Sequence, residues 1–324
     1  MKRMFVSAAL VALLVATSCA GLGSKSESDI ASKKQEAPQR QGWEDDEFGP
    51  LYGDVKSVTY TAYLIAGKFG EIVKGECFEK TVCKFNLNGD VVEMAEYNGD
   101  GSLSSKYRYK YDSQGNIIEE AGYNDDGSLD SRELYKYDSQ GNIIEWAEYF
   151  GDGSLYKKYL YKYDSQGNVI EEAEYYGDGS LGEKYLYKYD SQGNVIEEAE
   201  YDADGSLSEK YLFKYDSQGN IIEYAGYGGN GSLCWKEVSK YDSQGKLIEW
   251  ASYNGDGSLR WKELSKYDSQ GNKVEEAKYK GDGSLSEKEV YKYDSQGNII
   301  ETVGYKSEIM IPSYMEERII VYRK

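Results

Sequence analysis

From about residue 85 onward, apolar and polar positions alternate in short runs between turn residues, and the pattern returns every 26 residues. The string Tyr-Asp-Ser-Gln-Gly starts at Tyr111, Tyr137, Tyr163, Tyr189, Tyr215, Tyr241, Tyr267 and Tyr293. A worn ninth copy, Phe85-Asn86-Leu87-Asn88-Gly89, stands one period earlier. In the unit around Tyr185 to Leu212, Asp190-Ser191-Gln192-Gly193 sets an aspartate three residues before a glycine. That is the signature of a type I turn closed by a left-handed glycine, a common hairpin loop. Asp202-Ala203-Asp204-Gly205 repeats the same chemistry. Between these turns, Val195 to Tyr201 is too short for a helix, and Lys184 to Tyr189 alternates and is rich in strand formers. Each period predicts two strands. The chain is expected to be all-β, an antiparallel hairpin meander of about eighteen strands in one long twisted or spiralling sheet.

The turn type also predicts a register. With Asp190 opposite Asn194, Tyr189 is expected opposite Val195, Tyr187 opposite Glu197, Tyr185 opposite Ala199 and Lys184 opposite Glu200. Across the following turn the expected pairs are Tyr201 with Leu207, Glu198 with Lys210 and Ile196 with Leu212. One face then carries Tyr185, Tyr187, Tyr189, Leu181, Val195, Ala199 and Tyr201, the better core candidate. The other carries Ile196 and Leu186 between Lys184, Lys188, Glu198 and Glu200.

The flanks differ. Met1-Lys2-Arg3-Met4 is a short basic start, and the apolar run Phe5 to Ala16 is too short to span a bilayer as a helix. Residues 1–18 read as a cleavable signal peptide, residues 19–50 as a flexible polar tether, 51–84 as N-terminal capping strands, 85–305 as the repeats and 306–324 as a C-terminal capping strand. Ala16-Thr17-Ser18-Cys19 resembles the lipobox of bacterial lipoproteins, which implies lipidation at Cys19 and an address at the outer membrane of a bacterial cell envelope. The implied partner is the membrane, through several acyl chains. Removing Lys2 and Arg3 takes the formal charge from −19 to −19 − 2 = −21. Such acidity argues against a nucleic-acid partner.

The composition narrows the chemistry further. With no histidine, the chain lacks the usual general acid/base and the commonest metal ligand. Asp202-Ala203-Asp204-Gly205-Ser206 looks like the start of a calcium loop, but Tyr176-Gly177-Asp178-Gly179 and Asn254-Gly255-Asp256-Gly257 break it, and a hairpin turn needs Asp-Gly anyway. Cys77 and Cys83 would lie about 20 Å apart along one strand, too far for a disulfide. Together with Cys234 they read as small strand residues. Neighbouring carboxylates such as Glu197 and Glu198 point to opposite faces, and no serine or glutamate holds a singular place among the repeats. No metal, no cofactor and no catalysis are expected.

The repeats are most informative where they break their own rule. The Glu198 position reads Glu120, Trp146, Glu172, Glu198, Tyr224, Trp250 and Glu276. The residue expected opposite stays basic: Arg132, Lys158, Lys184, Lys210, Lys236, Lys262 and Lys288. Ser239 and Ser265 replace tyrosines, and Trp235 and Trp261 appear four residues earlier. Aromatic rings flanked by polar groups favour sugar rings or protein partners. The candidate ligand-binding set is therefore Tyr224, Trp235, Lys236, Trp250, Trp261, Lys262 and Trp146, with Trp250 expected exposed and bordered by Lys262. Alternatively the rings pack in place of the lost tyrosines.

Tyr-Asp-Ser-Gln-Gly-Asn followed by an apolar strand resembles the YD (Rhs-type) repeats of bacterial surface and toxin-delivery proteins, over roughly residues 85–305. The resemblance implies hairpins that form a long sheet spiralling into a shell. The long toxin-bearing extension and Pro-rich junction of that family have no counterpart in this sequence. The expected function is non-catalytic binding or structural display, with a protein or glycan ligand. An Rhs-like shell or immunity component of a toxin system is the first alternative, and a glycan-processing enzyme the second.

Overall fold

The computed structural model describes residue 51 and residues 54–68, 71–306 and 311–323. The signal peptide, Cys19 and the tether fall outside the described residues. Twenty strands follow one another in chain order. They begin with β1 (Val55–Lys68), β2 (Glu71–Phe85), β3 (Val91–Asn98), β4 (Leu103–Tyr111), β5 (Ile117–Tyr123), β6 (Leu129–Tyr137) and β7 (Ile143–Phe150). Next come β8 (Leu155–Tyr163), β9 (Val169–Tyr176), β10 (Leu181–Tyr189), β11 (Val195–Tyr201), β12 (Leu207–Tyr215), β13 (Ile221–Gly228) and β14 (Leu233–Tyr241). The series ends with β15 (Leu247–Asn254), β16 (Leu259–Tyr267), β17 (Lys273–Lys280), β18 (Leu285–Tyr293), β19 (Ile299–Lys306) and β20 (Ile311–Tyr322). Every strand pairs antiparallel with the next, and β20 returns to pair with β1. The meander is a closed ring.

The hairpin loops are the expected ones. The Asp190 amide donates to Asn194 O at 2.9 Å, the Gly193 amide returns to Asp190 O, and Gly193 sits at φ 88°. Asp190 Oδ1 accepts the amides of Gln192 and Asn194, and Oδ2 accepts Asn194 Nδ2. In the second loop Asp204 Oδ1 accepts the Ser206 amide, and Asp202 Oδ2 accepts the Ser206 hydroxyl. These aspartates bind their own turns.

The register differs from expectation by one residue. Tyr189 does face Val195, but Lys188 faces Glu197, so Ile196 is an extra residue in a β-bulge. Past the bulge Tyr187 faces Glu198, Leu186 faces Ala199 and Tyr185 faces Glu200. A second irregularity follows the other loop. Tyr201 faces Leu207 as expected, but Glu200 faces Glu209, Ala199 faces Lys210, Glu198 faces Tyr211 and Glu197 faces Leu212. Each extra residue exchanges the faces of all that follows it. Tyr185 and Tyr187 therefore share their face with Glu198 and Glu200, while Ala199, Leu186 and Tyr201 lie with the lysines.

The repeat tyrosine bonds the backbone carbonyl beside the bulge of the preceding repeat. Tyr189 Oη donates to Val169 O at 2.7 Å and Tyr215 Oη to Val195 O at 2.8 Å. The same bond joins each Tyr-Asp tyrosine to the preceding repeat, from Tyr111 on Val91 O to Tyr293 on Lys273 O. On the opposite face, Glu197 takes Lys188 at 2.7 Å and Lys210 at 3.4 Å, and similar zippers recur around Glu93, Glu119, Glu171, Glu223 and Glu275. Such exposed pairs contribute about 0–1 kcal/mol each.

Burial decides which face lies inside the ring. Glu172, Glu174 and Glu198 on the tyrosine face are 2%, 6% and 7% exposed. Lys188 on the other keeps 68% of its side chain in solvent. The tyrosine face is the inner one. Apolar packing concentrates where the ring closes: Val55, Val58, Tyr60, Cys83, Phe85 and Val91 are buried together, with Met94, Tyr109, Ile320 and Tyr322 against them. Arg323 ties the seam, with Nη1 on Asp54 at 2.7 Å and Nη2 on Phe85 O at 2.7 Å. Cys77, Cys83 and Cys234 form no disulfide among the described residues.

Closure brings the two ends of the folded region together, the Arg323 amide lying 2.8 Å from Asp54 O. A circular permutant of residues 51–324, joined across this seam and opened between Ser191 and Gln192, should fold and melt in one transition within a few degrees of the parent. Calorimetry checks this. Loss of the cooperative transition would show that the seam is not formed.

Candidate functional site

The corrected register regroups the candidate residues. Trp146 faces Tyr135 and Tyr159, Tyr224 faces Phe213 and Glu237, and Trp250 faces Ser239 and Glu263. Trp235 and Trp261 share this inner face, opposite Gly226 and Ser252. Lys236 and Lys262 face Ala225 and Ala251 and lie on the outer face. The expected pairing of ring with lysine is therefore wrong, because it counted no bulge. Trp250 is half-buried rather than exposed, and Lys262 lines a shallow hollow on the other face beside Leu264 and Tyr279.

Three aromatic groups result. Trp146 stacks on Tyr159 at 4.6 Å and on Tyr135 at 6.0 Å, and its Nε1 donates to Glu133 at 3.1 Å. Tyr224 stacks on Phe213 at 4.6 Å and meets the edge of Trp235 at 4.8 Å, with Tyr211 alongside. Trp250 and Trp261 meet edge to face at 4.7 Å, and Trp250 Nε1 donates to Glu237 at 3.0 Å. Edge-to-face and offset pairs of this kind contribute about 0.5–1.5 kcal/mol beyond their burial.

Carboxylates run between the rings, a feature that the register without bulges had placed on the other face. Burial pushes the Glu172 carboxyl up to about 7, against hydroxyl donation from Tyr187 at 3.3 Å. Burial also pushes Glu198 up to about 7, with the charge of Glu200 adding to it. Glu200 itself is raised to about 7 by burial and then by Glu183, Glu209 and Asp202. The phenols respond to the same setting: burial, followed by Glu172 and Glu198, holds Tyr187 far above the ordinary phenol range. Further round the ring Lys273, in place of the usual Ile or Val, reaches Glu276 at 2.6 Å beside Ser265, where a tyrosine is missing. Burial raises the neighbouring Glu263, with Glu276 adding to the effect. Lys273 holds Glu276 ionised.

A family model described only as "Uncharacterised protein" matches residues 162–262. No curated protein matches the chain. Among solved structures, TcdB2-TccC3 is 13% identical over 76% of this chain and 18% of that chain, with a TM-score of 0.30. The Tc holotoxin pore of Photorhabdus luminescens is 10% identical over 74% of this chain and 20% of that one, with a TM-score of 0.22. A porin-like protein from Bacteroides uniformis is 8% identical over 82% of this chain and 98% of its own length, with a TM-score of 0.36. This chain thus spans about a fifth of the Tc-toxin chains it matches.

The raised carboxyls set a pH dependence. Held near 7 when folded and near 4.5 when not, they bind more protons in the folded chain across that interval, so stability falls as pH rises through it. The outer zipper carboxyls are shifted downward, Glu93 to about 2, and their stabilisation is lost as pH falls below the unfolded value. The melting temperature should therefore peak near pH 5. Glu198→Gln should add about 1–3 kcal/mol at pH 8 and little at pH 5. Urea denaturation at the two pH values checks this, and equal effects at both would contradict the burial of an ionisable Glu198.

Proposed function

We propose that the chain is a non-catalytic binding or display protein of the bacterial cell envelope, anchored by lipid at Cys19, and that it takes its ligand on the inner face of β12–β16. One observation carries this reading: apart from Trp146 on β7, the aromatic departures from the repeat fall on neighbouring strands. The tyrosine positions become Phe213, Ser239 and Ser265, the glutamate positions become Tyr224 and Trp250, and Trp235 and Trp261 are added on the same face. Packing alone asks for one rule in every repeat, as the eight Tyr-Asp hydrogen bonds show. A local change of rule is what a ligand requires. Rings between polar groups suit a glycan or a protein side chain.

Closure through β1 and β20 favours a second reading, a shell or immunity component of a toxin system. The two differ in what the chain captures. A glycan and protein array probed with residues 20–324 should return a ligand whose capture falls in Trp250→Phe and Trp235→Phe while the melting temperature stays within a few degrees. Capture that ignores both variants would remove this face from the account. Detergent-phase partitioning of Cys19→Ala tests the anchor, which is refuted if the variant partitions like the unaltered chain.

A further inference from the structure

The inner face twice places one of its own ammonium groups between a ring and a carboxylate. Lys157 lies 2.8 Å from Glu174 and 5.4 Å from the Tyr176 ring centre. Lys278 lies 4.6 Å from the ring centre of Trp261, in the strand position opposite Glu263. Between these two places, on β11–β13, the face holds rings and carboxylates with no such cation. Glu198, Glu200 and Glu209 lie there with Tyr211, Phe213 and Tyr224, and no lysine or arginine occupies that face of these three strands among the described residues. The charges bearing on Glu200 are Glu183, Glu209 and Asp202.

Glu198 is the decisive residue. One repeat earlier its counterpart Glu172 accepts a hydrogen bond from Tyr187, and three repeats later Glu276 accepts one from Tyr291. The residue that would serve Glu198 in this way is Phe213, which has no hydroxyl. Tyr187, on its other side, donates to Glu172 instead. Glu198 is thus 7% exposed, lies opposite Tyr187 and Tyr211, and has no hydrogen-bonding partner among the described residues, while its charge acts on the Tyr224 hydroxyl. A carboxylate so nearly enclosed, with no protein donor, attracts a cation. Glu209, exposed at the rim, leaves this end of the face open to solvent.

We infer that β11–β14 form a site for a small organic cation with an alkylammonium head, which Glu198 and Glu200 pair while Tyr211, Tyr224 and Trp235 supply the ring faces. Ring quadrupole and carboxylate attract the same group, as they do around Lys278 and Lys157. The inference deepens the reading given under Proposed function and rests on it only for the choice of face.

Calorimetric titration of the full chain with tetramethylammonium and with n-butylammonium tests it, with the uncharged tert-butanol and butan-1-ol as controls. One or both cations should bind and the alcohols should not. Phe213→Tyr, which restores the missing donor, should weaken the cation at least about tenfold without lowering the melting temperature, and Trp235→Leu should weaken it similarly. Tyr291→Phe, remote on β18, should leave binding unchanged. The site is overturned if neither cation binds, if the alcohols bind equally well, or if Phe213→Tyr binds as the parent does. An array ligand that depends on Trp250 but ignores Phe213→Tyr and Glu198→Gln would sink this inference and leave the broader reading standing. Cation binding with no array ligand would do the reverse.

Discussion

The hydrogen bond from each Tyr-Asp tyrosine to the carbonyl beside the bulge of the preceding repeat is the contact on which the structure depends. A bulge disrupts the ladder locally, and the backbone groups beside it need partners. Here one such partner is built into the repeat, since Tyr189 reaches Val169 O and Tyr215 reaches Val195 O. With the bulge held in every hairpin, the register past it is fixed. That register puts Lys188 against Glu197 on the outside and Tyr187 against Glu198 within.

The same shift makes the inner face electrically unusual. Tyrosine hydroxyls satisfy many of its carboxylates, as Tyr135 does for Glu133 and Tyr185 for Glu183, both at 2.7 Å. Directly opposed glutamates such as Glu200 and Glu209 remain unfavourable. An arrangement that holds carboxyls near 7 stores sensitivity to pH and to cations rather than stability. Apolar packing is instead concentrated at the seam, around Val58, Cys83 and Ile320, where no repeat contact is available to close the ring.

Much of this was legible in the sequence. The 26-residue period, the two loops and the strand pair in each unit follow from Asp-Ser-Gln-Gly and Asp-x-Asp-Gly alone, and the hydrogen bonds of Asp190 and Asp204 realise them. The bulge at Ile196 was not legible, because an extra residue beside a turn leaves the turn signature unchanged while it exchanges every later face. The second extra residue, Arg260 between Leu259 and Trp261, explains why Trp250 and Lys262 were expected together and lie on opposite faces. A signal did exist. In the unbulged register Lys188 stands opposite Ile196 and Glu197 opposite Tyr187, which leaves charges unpaired in every repeat. Closure was beyond local pattern, since it joins strands from the two ends of the chain.

The aromatic departures keep their interest in the corrected register, for they now share one face with the buried carboxylates. All of this rests on the tyrosine bond, and a phenylalanine series tests it most directly. Tyr163, Tyr189 and Tyr215 lie in successive repeats, each bonded to a different carbonyl. Urea unfolding of the three single Tyr→Phe variants and of the triple should show a loss of about 1 kcal/mol each, adding to about 3 kcal/mol together. Unfolding midpoints unchanged from the parent, singly and in the triple, would contradict the account.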